Sequence, residues 1–244
     1  MRAPIWSPGM PAMPTEASGA TLTGVSEAVD DDYPWPPGPW VRALFVMALD
    51  GSAAGADGRS GSISGPADRR VLIAVRRWSD AVVVGASTMR AERYNPMRAS
   101  EAVSAQRLAA GQQPAPRLVI VSASLDLPWA DPAYAESMLP PLIVTVSSAP
   151  AATRERVPAS CELLVAPGER VDPAWLRQQL IDRGMEHIVC EGGRSLLAEF
   201  ARAGAVDEWA LTLSGLMPAG AFAPVLARCE DAFIFTRFVR AEHE

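Results

Sequence analysis

Three short polar or glycine-rich stretches each follow an apolar run, and they carry the residue types in this chain best suited to chemistry. The most specific is Val189-Cys-Glu-Gly-Gly-Arg-Ser-Leu-Leu197, where Glu191 ends an apolar run and Gly192 and Gly193 follow. Arg194 comes next, and Ser195, Leu196 and Leu197 then open a helical pattern. Glycine lets a backbone approach a bulky anion closely, and the free amides at a helix N-terminus attract phosphate. The stretch is neither G-x-G-x-x-G nor the G-x-x-x-x-G-K-[ST] phosphate loop, so a tight turn that binds nothing competes with the ligand-binding reading. The second stretch is Val84-Gly-Ala-Ser-Thr-Met-Arg90. Gly85 permits close approach and the Thr88 hydroxyl can donate to a ligand, although Ser87 or Thr88 could equally cap a helix. The third is Ala48-Leu-Asp-Gly51, where Asp50 could bind a polar heterocycle or assist proton transfer, or could be a turn aspartate satisfied by neighbouring amides.

Other chemistries are poorly provided for. Two histidines, His187 and His243, rule out a multi-histidine metal site, and Cys161, Cys190 and Cys229 form no C-x-x-C. No Ser–His–Asp or Cys–His set is credible. With 22 Lys and Arg against 28 Asp and Glu, the formal charge of −6 disfavours generic nucleic-acid binding through a basic face. No apolar run reaches the roughly 18 residues of a membrane span, and the opening MRAPIWSPGM lacks the apolar stretch of a secretory signal. The expectation is a soluble, cytoplasmic protein with no metal site.

The elements that must position the three stretches follow from periodicity. Residues 1–39 hold Pro4, Pro8, Pro11 and Pro14 and end in a Pro/Trp cluster before Trp40, so they read as an arm without long helices or strands. Residues 40–244 read as one domain. Strands are expected over 41–49, 80–85, 118–122, 142–146, 161–165, 187–191, 207–214 and 232–240, and helices over 66–78, 173–183 and 195–203. Strands alternating with helices predict a three-layer α/β/α architecture around a mostly parallel sheet. The last two strands lack an intervening helical pattern, which predicts an antiparallel C-terminal edge.

In order and at compatible spacing, Ala48-Leu-Asp-Gly51, Ile63-Ser-Gly-Pro-Ala-Asp-Arg-Arg70, Asp80-Ala-Val-Val-Val-Gly-Ala-Ser-Thr88, Glu191-Gly-Gly193 and Asp207-Glu208 span most of residues 40–240. This set resembles the reductase domain of the riboflavin-biosynthesis deaminase–reductases, whose fold is like dihydrofolate reductase. The resemblance implies NADPH-dependent reduction of the ribosyl group of an aminopyrimidine ribosyl phosphate to ribityl, or of a pteridine-like substrate, by a homodimer. It implies that Ser62, Gly85, Thr88 and Glu92 line the cofactor, and that the turn from Gly192 through Gly193, Arg194, Ser195, Leu196 and Leu197 cradles its phosphates. Asp50 and Glu191 would face the substrate as catalytic residues, and Ser60, Arg76 and Arg98 would hold its phosphate.

The chain departs from that family in places. The zinc deaminase signatures His-x-Glu and Pro-Cys-x-x-Cys occur nowhere, so the chain looks like a stand-alone reductase. Ala48 replaces the usual serine before Leu-Asp-Gly, Ser62 replaces an aromatic, and Glu92-Arg-Tyr-Asn-Pro96 replaces Asp-Asp-Pro with one residue fewer before Arg98. These changes fall in the substrate pocket, and the altered 92–96 segment motivates an alternative: a non-catalytic relative that binds a nucleotide or phosphorylated ligand.

Overall fold

The computed structural model describes residues 32–217, 220–221 and 233–239. Eight strands build one sheet: β1 (Trp40–Ala48), β2 (Ala81–Gly85), β3 (Arg117–Val121), β4 (Leu142–Val146), β5 (Glu162–Ala166), β6 (His187–Gly192), β7 (Glu208–Ser214) and β10 (Phe233–Val239). A two-residue pair, β8 (Leu216–Met217) with β9 (Gly220–Ala221), stands apart from it. The sheet order is β10-β7-β1-β6-β2-β3-β4-β5, and every pairing is parallel except that of β10 with β7. Both the mostly parallel sheet and its antiparallel C-terminal edge agree with the sequence pattern. All five residues of β2 and of β4 are buried, as continuous apolar runs must be when both faces of a sheet are covered.

Seven helices lie among the described residues: α1 (Pro66–Trp78), α2 (Ala86–Glu92), α3 (Glu101–Ala109), α4 (Ala133–Glu136), α5 (Ala151–Arg154), α6 (Pro173–Ile181) and α7 (Arg194–Arg202). Three of them, α1, α6 and α7, lie where the sequence pattern puts them. The sequence reading has no helix at α2, α3, α4 or α5. Two of these span a single turn, and α3 buries only Val103 and Arg107, too sparse a stripe to give a periodic signal. Much of the proline-rich arm, with Pro4, Pro8, Pro11 and Pro14, lies outside the described residues.

The described end of the arm is tied to the opposite edge from the strand-end motifs. Arg42, fully buried on β1, pairs with Glu208 of β7 at 2.9 Å and donates to the carbonyls of Tyr33 and Pro34. Its guanidinium lies 4.3 Å from the centroid of the Trp35 ring, and Trp35 in turn stacks on His187. Arg237 of β10 closes the knot, with Nε 2.7 Å from Glu208. Burial alone would raise the Glu208 carboxyl, but hydrogen bonds from Arg237 and Arg42 outweigh it and hold the pKa below its ordinary value. The same burial lifts the Tyr33 hydroxyl to about 12.

A depressed folded-state carboxyl stabilises the fold above its unfolded pKa, and that contribution disappears as pH falls through the folded value. Stability from this knot is therefore complete at neutral pH and lost below the ordinary carboxylate range. Glu208→Ala leaves Arg42 buried without a counter-charge and is expected to cost about 3–5 kcal/mol in urea unfolding at pH 7. A loss below about 1 kcal/mol at neutral pH contradicts the paired geometry.

Candidate functional site

Because β6 lies between β1 and β2, parallel to both, the ends of three strands far apart in sequence meet at one edge of the sheet. Parallel α/β sheets bind ligands where strands give way to loops on this edge. A cavity of about 340 Å³ opens there between α1, the Gly/Ser loop after β1, α2 with the loop behind it, and the start of α7.

Two of the three junctions form its floor. Gly192 has φ +86° and the Gly192–Gly193 peptide is cis; a Cβ at Gly192 would lie 2.9 Å from a Leu197 methyl. A Cβ at Gly193 would lie 2.9 Å from the Thr88 hydroxyl and 3.5 Å from that of Ser87, so only glycine lets this backbone pass beneath the first turn of α2. Gly85 packs against the same peptide, its missing Cβ 3.6 Å from the Gly192 carbonyl. The N-cap of α2 is Gly85 itself, which places Ser87 and Thr88 inside the first turn, where they line the cavity. The helices that begin at the cavity, α1, α2 and α7, have glycine N-caps at Gly65, Gly85 and Gly193 and no side-chain cap. By contrast, α3 and α6 are capped by Ser100 and Asp172. Over Gly193, the N-terminus of α7 thus keeps its amides for a ligand, with Arg194 beside them.

A buried charge cluster forms the back wall. Arg76 of α1 grips the Glu191 carboxylate with two bonds of 2.6 Å, from Nε to Oε1 and from Nη2 to Oε2. Tyr94 adds a third, its hydroxyl donating to Oε2 at 2.7 Å, while the Arg76 guanidinium lies 5.2 Å from the Tyr94 ring centroid. Burial works to lower the Arg76 guanidinium, but the Glu191 charge outweighs it and holds the pKa above its ordinary value. Burial, reinforced by the same carboxylate, pushes the Tyr94 hydroxyl well up. The cluster is therefore an ionised pair buttressed by a neutral phenol.

The cavity wall gathers Ser60, Arg76, Thr88, Glu92, Glu191, Gly193, Arg194 and Leu197 from the residues singled out in the sequence. Glu92 accepts from the Ser60 amide at 2.7 Å, tying the Gly/Ser loop to the end of α2. Gly85, Gly192 and Leu196 lie buried just behind the wall, and Ser195 is exposed on α7. The remaining three lie apart. Asp50 is exposed and accepts from the Ser52 amide at 2.9 Å, as a turn aspartate does. Ser62 is exposed and bonds Asp57 at 2.7 Å. Arg98 pairs with Glu136 at 2.6 Å, 38 residues along the chain, with half its side chain exposed.

Among the polar residues of the site with no assigned role in the sequence reading are Tyr94 and Asp68. Tyr94 lies in the 92–96 segment, noted only as a departure. Asp68 lies within the matched Ile63–Arg70 stretch at the first turn of α1. It is half-buried in the cavity wall and accepts from the Ser64 hydroxyl at 2.6 Å. Apolar walls come from Leu44, Phe45 and Val46 on β1 and from Leu72 on α1.

A doubly covered parallel sheet with an antiparallel edge and a polar cleft at its strand ends defines a dihydrofolate-reductase-like domain. Residues 39–218 match the family described as RibD C-terminal domain, and the chain belongs to that family, whose relatives are reductases. A 2,5-diamino-6-ribosylamino-4(3H)-pyrimidinone 5′-phosphate reductase of Methanothermobacter thermautotrophicus is 32% identical over 205 residues, covering 84% of this chain and 90% of that protein. A protein of the same name from Archaeoglobus fulgidus is 26% identical over 170 residues, 70% of this chain and 77% of its own length. The crystal structure of a pyrimidine reductase-like protein from Corynebacterium diphtheriae superimposes with a TM-score of 0.64 at 26% identity, covering 82% of this chain and 91% of that one.

The back wall makes a graded prediction. Glu191→Gln leaves Arg76 buried without a counter-charge and is expected to cost about 3 kcal/mol or more. Tyr94→Phe removes one bond to a charged acceptor and is expected to cost about 1.5–3 kcal/mol. Chemical denaturation of both variants checks the order, and a larger loss in Tyr94→Phe than in Glu191→Gln contradicts it.

Proposed function

We propose that this protein is an NADPH-dependent reductase that converts the ribosyl group of an aminopyrimidine ribosyl phosphate to ribityl. The observation that carries the reading is the convergence, in one cleft, of a glycine-floored anion cradle and a buried Arg76–Glu191–Tyr94 cluster. The names of the archaeal relatives support the substrate class.

The donor set fits a dinucleotide. The uncapped amides of α7, the Arg194 side chain and the Ser87 and Thr88 hydroxyls would take its phosphates, and the apolar wall of β1 would take a flat ring. When bound, NADPH supplies the hydride, so the chain needs no side-chain nucleophile. Its residues have three tasks: to align, to exclude water and to manage charge. Both Glu191 oxygens are engaged, which fixes the carboxylate as an acceptor for ring N–H groups and presents the Arg76 guanidinium at a constant position beside it. In this reading Arg76 and Ser60 meet the substrate beside Glu191, and the active protein is a homodimer.

NADPH is expected to quench tryptophan fluorescence, raise the thermal midpoint, and be oxidised on addition of a ribosylaminopyrimidine phosphate. Arg194→Ala removes one charge-assisted contact, of about 1.5 kcal/mol or more, and should weaken NADPH by about tenfold or more with the unliganded thermal midpoint unchanged. NADPH binding without oxidation on any pyrimidine or pteridine substrate would leave a ligand-binding protein in place of an enzyme. Absence of binding rejects the proposal outright.

A further inference from the structure

Reduction of a ribosyl group needs a proton as well as a hydride, and the cavity wall holds three carboxyl groups that could give one: Asp68, Glu92 and Glu191. They are not equivalent. Glu191 is bound at both oxygens by Arg76, so protonating it would leave a buried guanidinium uncompensated. Glu92 is held by the Ser60 backbone as part of a loop-to-helix tie. Asp50 lies outside the wall altogether, exposed in a turn. Asp68 differs from all of these. It lies in the first turn of α1, on the stripe that also brings Leu72 and Arg76 to the cavity, and it accepts from a neutral hydroxyl. Ser64 donates at 2.6 Å from the loop before α1, and the Thr212 hydroxyl neighbours it from β7, whose residue 212 is paired with cavity-lining Val46. Among the described residues Asp68 makes no ion pair.

We propose that Asp68 is a catalytic residue, the general acid that protonates the substrate oxygen released when the sugar ring opens. The inference rests on the reductase reading of the same cleft. As the new C–H bond forms at the anomeric carbon from the cofactor's hydride, the bond from that carbon to the ring oxygen breaks and its electron pair passes to the oxygen. Asp68 gives its carboxyl proton to that oxygen and is reprotonated from solvent, so one hydride and one proton are consumed per turnover. Three features of the wall suit the role. The Ser64 hydroxyl fixes the carboxyl without neutralising it. The half-buried position leaves it open to the cavity. Burial also raises its pKa, an effect that the Ser64 bond, the Thr212 hydroxyl and the charge of neighbouring Arg69 only partly oppose. The groups around it are thus Ser64 from the loop, Arg69 on its own helix and Thr212 on β7, with Tyr33 from the segment before β1 sensing its charge at longer range.

The test pairs kinetics with a measurement that needs neither substrate nor cofactor. In the unliganded protein, a ¹³C NMR titration of aspartate carboxyls, assigned by difference with Asp68→Asn, is expected to show one group titrating above the ordinary value of about 3.9. In turnover, kcat should fall as pH rises through that same midpoint, because the acid form is lost. Asp68→Asn should lower kcat by about 10²–10⁴-fold and abolish this limb, with NADPH affinity within twofold of wild type. Asp68→Glu, which keeps the carboxyl, should recover part of the loss together with the pH limb. An Asp68 carboxyl that titrates at the ordinary value overturns the proposal. So does an Asp68→Asn protein whose kcat stays within threefold of a wild type that turns over. A wild-type protein that oxidises no NADPH with these substrates rejects the reductase reading itself, a different result from either.

Discussion

A guanidinium and a carboxylate that have both left water hold the cleft in shape. Taking Arg76 and Glu191 out of solvent is costly, and their attraction repays it only in good geometry with the remaining valences filled. Here the fork is bidentate and Tyr94 supplies the extra donor. The net gain over an apolar pair is small, so the importance of the contact lies in position. It fastens α1 to the end of β6 and the loop behind α2 to both, which are three of the cleft's walls. Any movement of one wall relative to another would leave a charge buried and alone.

The sheet order does for the backbone what this pair does for the side chains. Placing β6 between β1 and β2 lets the glycine turn after β6 pass beneath the first turn of α2, at a separation no Cβ would tolerate. Glycine at three neighbouring helix starts then leaves polar backbone groups facing one space. A second ion cluster, around Glu208, holds the opposite edge, where β1, β7, β10 and the end of the arm meet. The two clusters share a logic: each joins elements that are remote in sequence and gives each buried charge an opposite partner.

The central strands were legible because a sheet covered on both faces demands short, uninterrupted apolar runs, as in β2 and β4, while β7 showed as an alternating run and β10 as an aromatic-rich one. The antiparallel edge followed from the missing helical pattern before β10. Short helices were not legible, since a single turn such as Ala133–Glu136 carries no periodicity. In the cleft, sequence reading brought out residues at strand ends, where glycine and acid stand out against apolar neighbours. It gave no role to Tyr94 or Asp68, whose surroundings come from tertiary contacts: Tyr94 reaches Glu191 across 97 residues, and Asp68 reaches Thr212 on a strand near the other end of the chain. It could not anticipate that Arg98 would turn to Glu136, because a pairing 38 residues away leaves no local mark.

The order of strands also dictates when the molecule can assemble. Both neighbours of β1 come late in the chain, β6 at residues 187–192 and β7 at 208–214, so β1 emerges from the ribosome about 140 residues before its first partner. At about 5–20 residues per second, that strand, rich in Leu, Phe, Val and Met, waits roughly 7–30 s with its edges open. Meanwhile β2 to β5, which pair in sequence order, can already associate. The cleft is therefore complete only once α7 has followed β6. Until β6 arrives, β1 presents two unpaired edges, each able to take up any other extended segment.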